Sequence, residues 1–202
     1  MGRVAGMTAA DTRDRLIEAA AEVFAEQGYE GTRTSEIARR AGLSTGAIYS
    51  QYGTKAELLL EAIRANAPID LERLLQGDLG GRSLPDILGA LGACLPARPE
   101  AIGASMLEAV AAGRRDPKVA EVLAGAAVER EEILSRLVAI SQRAGQVDAG
   151  LPPDALARFC LTLVFGTVVA QSIGLTPPDP GDWALVIARL IDSIRPTPEE
   201  QP

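Results

Sequence analysis

The sequence predicts an all-α protein with an N-terminal helix-turn-helix domain and a larger helical bundle behind it. Apolar residues recur at helical spacing along most of the 202-residue chain, and glycines and prolines separate these runs. Aromatic residues make up only 3% of the sequence, so the candidate core consists mainly of alanine and leucine. Such a core favours closely packed helices over sheets.

The first predicted helix begins at an Asp11–Thr12 cap, after residues 1–10, which we expect to form a flexible lead-in. Its inner face is given by apolar residues at helical spacing: Leu16, Ala19, Ala20, Val23 and Phe24. Gly28 is expected to end this helix in a left-handed conformation, and Tyr29 is expected to fold back onto the helix end.

Two short helices joined by a three-residue turn are predicted next. Thr34 is placed to cap the first of them, and Ser44 to cap the second. The small Ala38 lets the helices cross closely, Gly42 supplies the backbone angle of the turn, and Ile48 fills the space between them. This spacing is that of the helix-turn-helix motif of DNA-binding proteins, although an ordinary helical hairpin shows it too.

The residues that flank this turn carry a more specific pattern. The segments FAEQGYEGT, EIARRAGLS and AIYSQYGTKAELL follow one another between Thr12 and Ile63. This stretch resembles the N-terminal domain of the TetR family of bacterial transcriptional regulators. The resemblance implies three short DNA-binding helices, a connecting fourth helix, and a helical domain that binds a small-molecule effector and dimerises. No pattern of a β-hairpin wing follows, which disfavours the winged-helix families.

The segment Thr45–Gln51 is the candidate recognition helix, because small residues at its start would let it enter the major groove. The resemblance implies that Tyr49 contacts a phosphate. Lys55, at the start of the fourth helix, is expected to hold a phosphate together with the helix amides. Tyr52 suits core packing as well as a DNA contact. The predicted DNA-binding residues are Thr34, Thr45, Gly46, Ala47, Tyr49, Ser50, Tyr52 and Lys55.

Positive charge is scarce in this chain. Its 20 basic and 27 acidic residues give a net charge of −7, which disfavours a polycation that coats nucleic acid. In the TetR family, position 45 is often basic and positions 50 and 51 often carry larger ring side chains, whereas this sequence has Thr45, Ser50 and Gln51. We therefore expect DNA affinity to depend only weakly on salt.

Behind this segment, the fourth helix is expected to continue to about Leu75, and prolines mark the start of further helices. The last helix is predicted over Trp183–Ile194. The predicted domains are a flexible segment (1–10), a helix-turn-helix domain (11–56), a helical effector-binding and dimerisation domain (57–195), and a disordered tail (196–202).

The last two helices carry more apolar residues than one small bundle needs, which predicts a homodimer through a four-helix bundle. The predicted dimer residues are Leu161, Val168, Trp183, Ile187 and Ile191, although part of each stripe must pack inside the chain. The candidate residues for an effector pocket are Leu91, Cys94, Met106, Leu107, Glu108 and Phe165, of which the apolar ones also suit core packing.

No catalysis, cofactor, metal or membrane contact is expected. The sequence has no histidine, and Cys94 and Cys160 match no metal or redox spacing, so we expect two reduced, buried thiols in a cytoplasmic protein. The apolar run Phe159–Ile173 is short for a membrane span, which favours a buried helix.

The sequence thus predicts a regulator that binds a palindromic DNA operator as a homodimer and is released by a small apolar or amphipathic effector. Repression and activation are both compatible with the sequence, and repression is the expectation that we carry forward. Two alternatives stay open. One is a helical enzyme that uses paired acids such as those among Glu129, Glu131 and Glu132. The other is an interaction module that has lost DNA binding.

Overall fold

The computed structural model describes residues 9–65, 82–97 and 100–196. Within these ranges it contains no strand, which confirms the all-α class. The helices are α1 (Ala9–Gly31), α2 (Thr34–Ala41), α3 (Thr45–Gln51), α4 (Lys55–Ala65), α5 (Leu84–Cys94), α6 (Glu100–Gly113), α7 (Pro117–Arg143), α8 (Pro153–Ser172) and α9 (Pro180–Ser193). A single 3-10 turn over Leu95–Ala97 follows α5. The predicted continuation to Leu75, most of the lead-in and most of the tail lie outside the described residues.

The helices pack into two compact units. The first contains α1–α4, α6 and α7 as far as Ala126, and the second contains α5, the 3-10 turn, α7 from Ala127, α8 and α9. The first unit therefore extends beyond the predicted 11–56 segment. It does so because α4 and α6 both pack against α1 and share its core.

The first unit has a closed apolar core around α1. The predicted inner face of α1 is confirmed, since Leu16, Val23 and Phe24 are all completely buried. They meet apolar side chains from the other helices, which are Ile37, Ala38, Ile48, Leu58, Leu59 and Ala109. This core fixes the positions of α2 and α3 relative to α1.

The predicted break at Gly28 is present as a kink inside α1, which continues to Gly31, and the start of α1 differs from the prediction. Gly28 adopts a left-handed φ of 68°, and the buried Tyr29 ring stacks on Phe24 with 6.2 Å between ring centroids. The helix begins at Ala9, so Asp11 and Thr12 lie in its first turn instead of capping it. Helix ends vary by a residue or two, and Asp11 still faces the positive end of the helix dipole.

In the second unit, α9 packs closely on α5 because α5 has glycines at the crossing. A Cβ on Gly92 would lie 3.0 Å from the Ile187 side chain, and one on Gly89 would lie 3.5 Å from that of Ile191. The indole Nε1 of Trp183 donates to the Gly92 carbonyl at 2.8 Å. This stripe of α9 packs inside its own chain, which is the intramolecular role that the sequence also allows for it, and Ile187 is buried there. The dimer contact of Trp183, Ile187 and Ile191 stays a prediction.

The helix α8 packs inside its own chain at its first turns and, near its end, against the 3-10 turn, where Gln171 Nε2 donates to the Pro96 carbonyl at 3.1 Å. At the first turns, Ala157 is buried and the Arg158 guanidinium pairs with Glu131 of α7 at 2.5 Å. Further along, the large apolar side chains Phe165 and Val169 are 41% and 44% exposed. The prediction of a buried helix is therefore wrong for the isolated chain. The reason is that the 3-10 turn contacts only part of α8 and leaves the Phe165 and Val169 side chains exposed among the described residues.

The length and composition of α8 also pass a simple test for a membrane-spanning helix, with a mean hydropathy of 1.5. A helix that packs in the core or against another subunit of a soluble protein passes the same test, so this single helix is weak support for a membrane span.

The two cysteines differ in their surroundings, and neither forms a disulfide. Cys94 is exposed at the end of α5, so the prediction of a buried thiol is wrong there. Cys160 is partly buried on α8, and burial raises the pKa of its thiol to about 11.

Candidate nucleic-acid interface

The turn between α2 and α3 has the geometry that the sequence predicts. Gly42 adopts a left-handed conformation with φ 70° and ψ 31°, and the Leu43 amide donates to the Ala38 carbonyl at 2.8 Å. Ala38 is buried at the crossing of the helices, and Ile48 is only 1% exposed in the space between them. The roles predicted for Ala38, Gly42 and Ile48 in the turn are confirmed.

One of the two predicted caps is present and the other is not. The Ser44 hydroxyl accepts a hydrogen bond from the Ala47 amide at 3.2 Å, which confirms the cap of α3. Thr34 is the first helical residue of α2 and not its cap, because the extended residue Arg33 occupies the cap position. The Thr34 hydroxyl is instead engaged elsewhere, with a tyrosine of α3.

That tyrosine is Tyr49, whose hydroxyl lies 3.1 Å from Thr34 Oγ1. The side chain of Tyr49 is 54% exposed, which is unusual for a large ring that has a core nearby. The fold therefore brings together two of the residues predicted to touch DNA, one from α2 and one from α3. Two exposed hydroxyls at this distance can both hydrogen-bond to a single phosphate group.

The start of α3 presents small side chains. Gly46 is exposed and Thr45 and Ala47 are half-buried. A Cβ on Gly46 would meet no atom closer than Ser44 Oγ at 3.9 Å, so the absence of a side chain there is not a requirement of the fold. Ser50 is exposed, and its hydroxyl donates to the Ala47 carbonyl at 2.8 Å, which leaves the oxygen free to accept a hydrogen bond.

Tyr52 lies apart from this exposed face. Its ring is half-buried and packs against the core of the first unit. Tyr52 and Glu61 both raise the pKa of the Arg13 guanidinium, which places the Tyr52 side chain beside α1. Of the two roles that the sequence allowed for Tyr52, the structure favours core packing.

Lys55 begins α4 as predicted, but its ammonium group is directed into the chain. Nζ donates to the carbonyls of Tyr29 and Thr32 at 2.6 and 3.1 Å, and burial lowers the pKa of Lys55. The amides of residues 53–54 donate to the Glu57 carboxylate at 2.5 and 3.1 Å. The protein's own groups thus occupy both parts of the phosphate site predicted at this helix start.

The arginines of α2 and its cap differ in whether they pair with a carboxylate. Arg39 pairs with Glu36 at 2.6 Å, and Arg40 pairs with Glu26 of α1 at 2.7 Å. Arg33 is exposed beside Thr34, and no ion pair joins it to a carboxylate among the residues that the structure describes. The sequence allows a contact with the DNA backbone for all three arginines, with a solvated surface position as the alternative.

The predicted pocket residues are divided between the two units, and the pocket that they would form stays a prediction. In the second unit, Leu91 packs on a core cluster, whereas Cys94 and Phe165 are exposed. The other three, Met106, Leu107 and Glu108, belong to the first unit. A groove of about 280 Å³ lies between α5 and α9, and none of the six lines it. The residues that line it are Pro85, Asp86, Gly89, Ala90, Ala184, Ile187, Ala188, Ile191, Asp192 and Arg195.

Comparison with known proteins connects this geometry to a family. Residues 16–62 match the family model described as bacterial regulatory proteins, tetR family. Over 80 residues, the chain is 40% identical to the HTH-type transcriptional regulator SrpR of Pseudomonas putida, which covers 40% of this chain and 37% of SrpR. Over 162 residues, it is 27% identical to the HTH-type transcriptional regulator UidR of Escherichia coli K12, which covers 78% of this chain and 80% of UidR.

A solved structure extends the similarity over almost the whole chain. Salmonella enterica GusR shares the fold with a TM-score of 0.67 and 26% sequence identity, and the match covers 93% of this chain and 97% of GusR. The similarity therefore includes the helices behind the helix-turn-helix. The match to SrpR spans little more than a third of SrpR, 37%, and is confined to a shorter stretch.

Proposed function

This chain belongs to the TetR family of bacterial regulatory proteins, and from that premise we propose that it is a ligand-responsive, DNA-binding transcriptional regulator. It acts as a repressor that leaves its operator when a small apolar or amphipathic effector binds. The observation that carries this proposal is the exposed Thr34–Tyr49 hydroxyl pair on a helix-turn-helix whose core is otherwise closed.

In the proposed complex, Thr34 and Tyr49 hold one backbone phosphate, and the start of α3 enters the major groove. Arg33 supplies the positive charge, because it is exposed next to Thr34 and is not drawn into the carboxylate pairs that engage Arg39 and Arg40. Because Arg39 and Arg40 already pair with carboxylates, few positive side chains of α2 are available for phosphates. The complex therefore involves few phosphate contacts per subunit, and its affinity depends weakly on salt.

The proposed active form is a homodimer through α8 and α9. One short recognition helix reads only a few base pairs, so a specific operator requires two copies at a fixed spacing. The apolar side chains that the chain leaves exposed support this assembly. They are Phe159, Phe165, Val169 and Ile173 on and just after α8, and Leu185, Val186 and Leu190 on α9. Of the dimer residues predicted from sequence, Leu161 and Val168 are half-buried on α8 and stay in this proposal.

We assign no catalytic activity to the chain and place it in the cytoplasm, where it would meet DNA. The acidic run of α7 does not offer the paired acids that an enzyme of this composition would need, since Glu131 pairs with Arg158 and Glu132 with Arg136. An interaction module without DNA binding would have no use for an exposed hydroxyl pair on α2 and α3.

The test is a selection of duplexes from a random DNA pool by the full-length chain, followed by titration of the recovered site. Tyr49→Phe and Thr34→Val each remove one hydroxyl and should weaken binding by about tenfold, the expected cost of a hydrogen bond to a charged group. Tyr52→Phe removes a hydroxyl that faces α1 and serves as the matched control. Recovery of no preferred sequence would contradict the proposal.

The effector is tested on the same complex. Apolar and amphipathic compounds are screened for release of the labelled operator from the wild-type chain. A releasing compound should also raise the thermal stability of the free protein, because a ligand that binds the folded state stabilises it. Compounds that tighten the complex would indicate an activator or a co-repressor mechanism instead.

A further inference from the structure

The segment Gly28–Thr32 joins the long part of α1 to α2, and side chains satisfy much of its polar backbone. The Thr32 side chain is buried, and its hydroxyl donates to the Gly28 carbonyl at 2.6 Å. The helix α2 begins at Thr34, only two residues later. The conformation of this segment, which we call the entry turn, therefore determines where α2 starts.

Lys55 of α4 binds the carbonyl groups of the entry turn. Its Nζ donates to the Tyr29 carbonyl at 2.6 Å and the Thr32 carbonyl at 3.1 Å. The same ammonium lies 4.4 Å from the centroid of the Tyr29 ring, within the range of a cation–π interaction. A buried carbonyl without a partner is costly, so these bonds stabilise the observed turn.

Glu108 of α6 binds an amide group of the same turn. Its Oε2 accepts a hydrogen bond from the Glu30 amide at 3.0 Å. A Cβ on Gly28 would lie 2.5 Å from both carboxylate oxygens, so the carboxylate fills space that only a glycine leaves open. Three residues earlier in α6, the buried Ser105 hydroxyl donates to the Phe24 carbonyl at 2.8 Å. The helix α6 is thus bonded to the end of α1 at two points.

We propose that Glu108 and Lys55 are positioning residues for DNA binding. Together they fix the entry turn, and the entry turn sets the start of α2 and with it the place of the Thr34–Tyr49 pair. The inference rests on the proposed DNA-binding function. It gives new roles to Lys55, which the sequence assigned to a phosphate, and to Glu108, which the sequence assigned to an effector pocket.

Because Glu108 and Lys55 carry opposite charges, removing each charge has a different effect on DNA affinity if the residue positions the entry turn than if its charge acts directly on DNA. If only the negative charge of Glu108 mattered, its removal would tighten DNA binding or leave it unchanged. Removal of its hydrogen bond to Glu30 should instead weaken binding. If Lys55 held a phosphate, its removal would lower the salt slope of the affinity by about 0.9 per subunit. A positioning residue leaves that slope unchanged.

The first arm of the experiment uses Glu108 in the full-length chain. Each variant is titrated by fluorescence anisotropy against the duplex that the wild type selects, at a temperature at which circular dichroism shows it to be folded. Glu108→Ala should weaken binding by about tenfold. Glu108→Gln keeps an acceptor for the Glu30 amide and should restore most of the affinity. Glu121→Ala removes an exposed acidic group of α7 and controls for charge.

The second arm uses Lys55 and measures affinity over a series of salt concentrations. Lys55→Met keeps most of the aliphatic stem and should weaken binding at every salt concentration with an unchanged slope. Lys55→Arg keeps the donors and should regain most of the affinity. Lys118→Met removes the other lysine of the sequence and is the matched control.

Three results would overturn the inference. The first is that Glu108→Ala binds as tightly as Glu121→Ala or more tightly. The second is that Lys55→Met lowers the salt slope by about 0.9 per subunit, which is the result for a phosphate contact. If Lys55→Met does not fold, the comparison of Glu108→Ala with Glu121→Ala tests the inference by itself. The third is that the wild type binds no DNA, which overturns the proposed function as well. The first two leave the proposed function intact.

Discussion

The helix-turn-helix buries its large core side chains within the chain, whereas α8 and α9 leave several large apolar side chains exposed. In the first unit, Ile48 is 1% exposed and every large apolar side chain of the inner face of α1 is covered by the same chain. On and after α8, the exposed fraction rises from 41% at Phe165 to 73% at Ile173. One region is complete within a single chain, whereas the other leaves apolar surface for a partner to cover.

This contrast explains how a chain with little positive charge could bind DNA specifically. The closed core holds Thr34 and Tyr49 in fixed positions, and in the proposed homodimer the exposed apolar surface of α8 and α9 joins two such units. Specificity would then come from the spacing between two weak half-sites, more than from the number of charged contacts in each.

The largest expected effect is a difference in the free energy of unfolding between a variant of the helix-turn-helix core and a variant at the end of α8. Ile48→Ala should lower the free energy of unfolding by about 2–5 kcal/mol, because it opens a cavity in the closed core. Ile173→Ala should change it by less than about 0.5 kcal/mol in the monomer, because that side chain is mostly exposed. Urea denaturation followed by circular dichroism, at a protein concentration low enough to keep the chain monomeric, measures both. Equal losses of unfolding free energy in Ile48→Ala and Ile173→Ala would contradict the difference between a buried and an exposed apolar region.

A charge placed on α8 tests the second half of the contrast. Val169→Glu puts a carboxylate into the surface that a second subunit covers in the proposed homodimer, where an unpaired charge is costly, so this variant should sediment as a monomer. Val128→Glu, at an exposed valine of α7, is the matched control and should remain a dimer. Sedimentation of the wild type as a monomer at every accessible concentration would contradict a homodimer through the exposed apolar surface of α8 and α9.

The smallest expected effect concerns the contact between α5 and the end of α9. Hydrogen bonds from Ser83 and the guanidinium of Arg195 hold the pKa of Asp86 below its ordinary value of 3.8. Folding therefore favours the ionised form, and this contribution is present above the ordinary pKa and is lost as the pH falls through the lower, folded-state value.

The melting temperature of Asp86→Asn should accordingly lie slightly below that of the wild type at pH 7. The difference should shrink as the pH falls below about 4, and its size is limited because the pair is exposed. A thermal melt of each protein at a series of pH values provides the comparison. A difference that is independent of pH would assign the role of Asp86 to capping geometry alone.

Local features of the helix-turn-helix were predictable from the sequence. Gly28 kinks α1 and Gly42 ends α2, both with a positive φ that glycine tolerates, and the Ser44 cap depends only on an amide three residues further on. Each of these features involves residues that are neighbours in the sequence. Thr34 was an exception within the helix-turn-helix, because its hydroxyl bonds to Tyr49 of the next helix and not to its own.

Features that depend on distant residues were not predictable. The helix α9 has two apolar stripes, one through Ile187 and one through Val186, and periodicity does not tell which of them faces inward. Gly92, almost a hundred residues earlier, decides it by letting Ile187 approach α5. In the same way, the sequence places Lys55 at the start of α4, but it does not show that carbonyls near the end of α1 take up its ammonium.

The most direct test of the account is a hydroxyl-radical footprint of the wild type and of Val169→Glu on the selected duplex. The wild type should protect two inverted half-sites whose centres lie on one face of the DNA, about one helical turn or a multiple of it apart. Val169→Glu, with an intact helix-turn-helix, should protect single half-sites and only at higher concentration. One asymmetric site protected equally by both proteins would contradict the account.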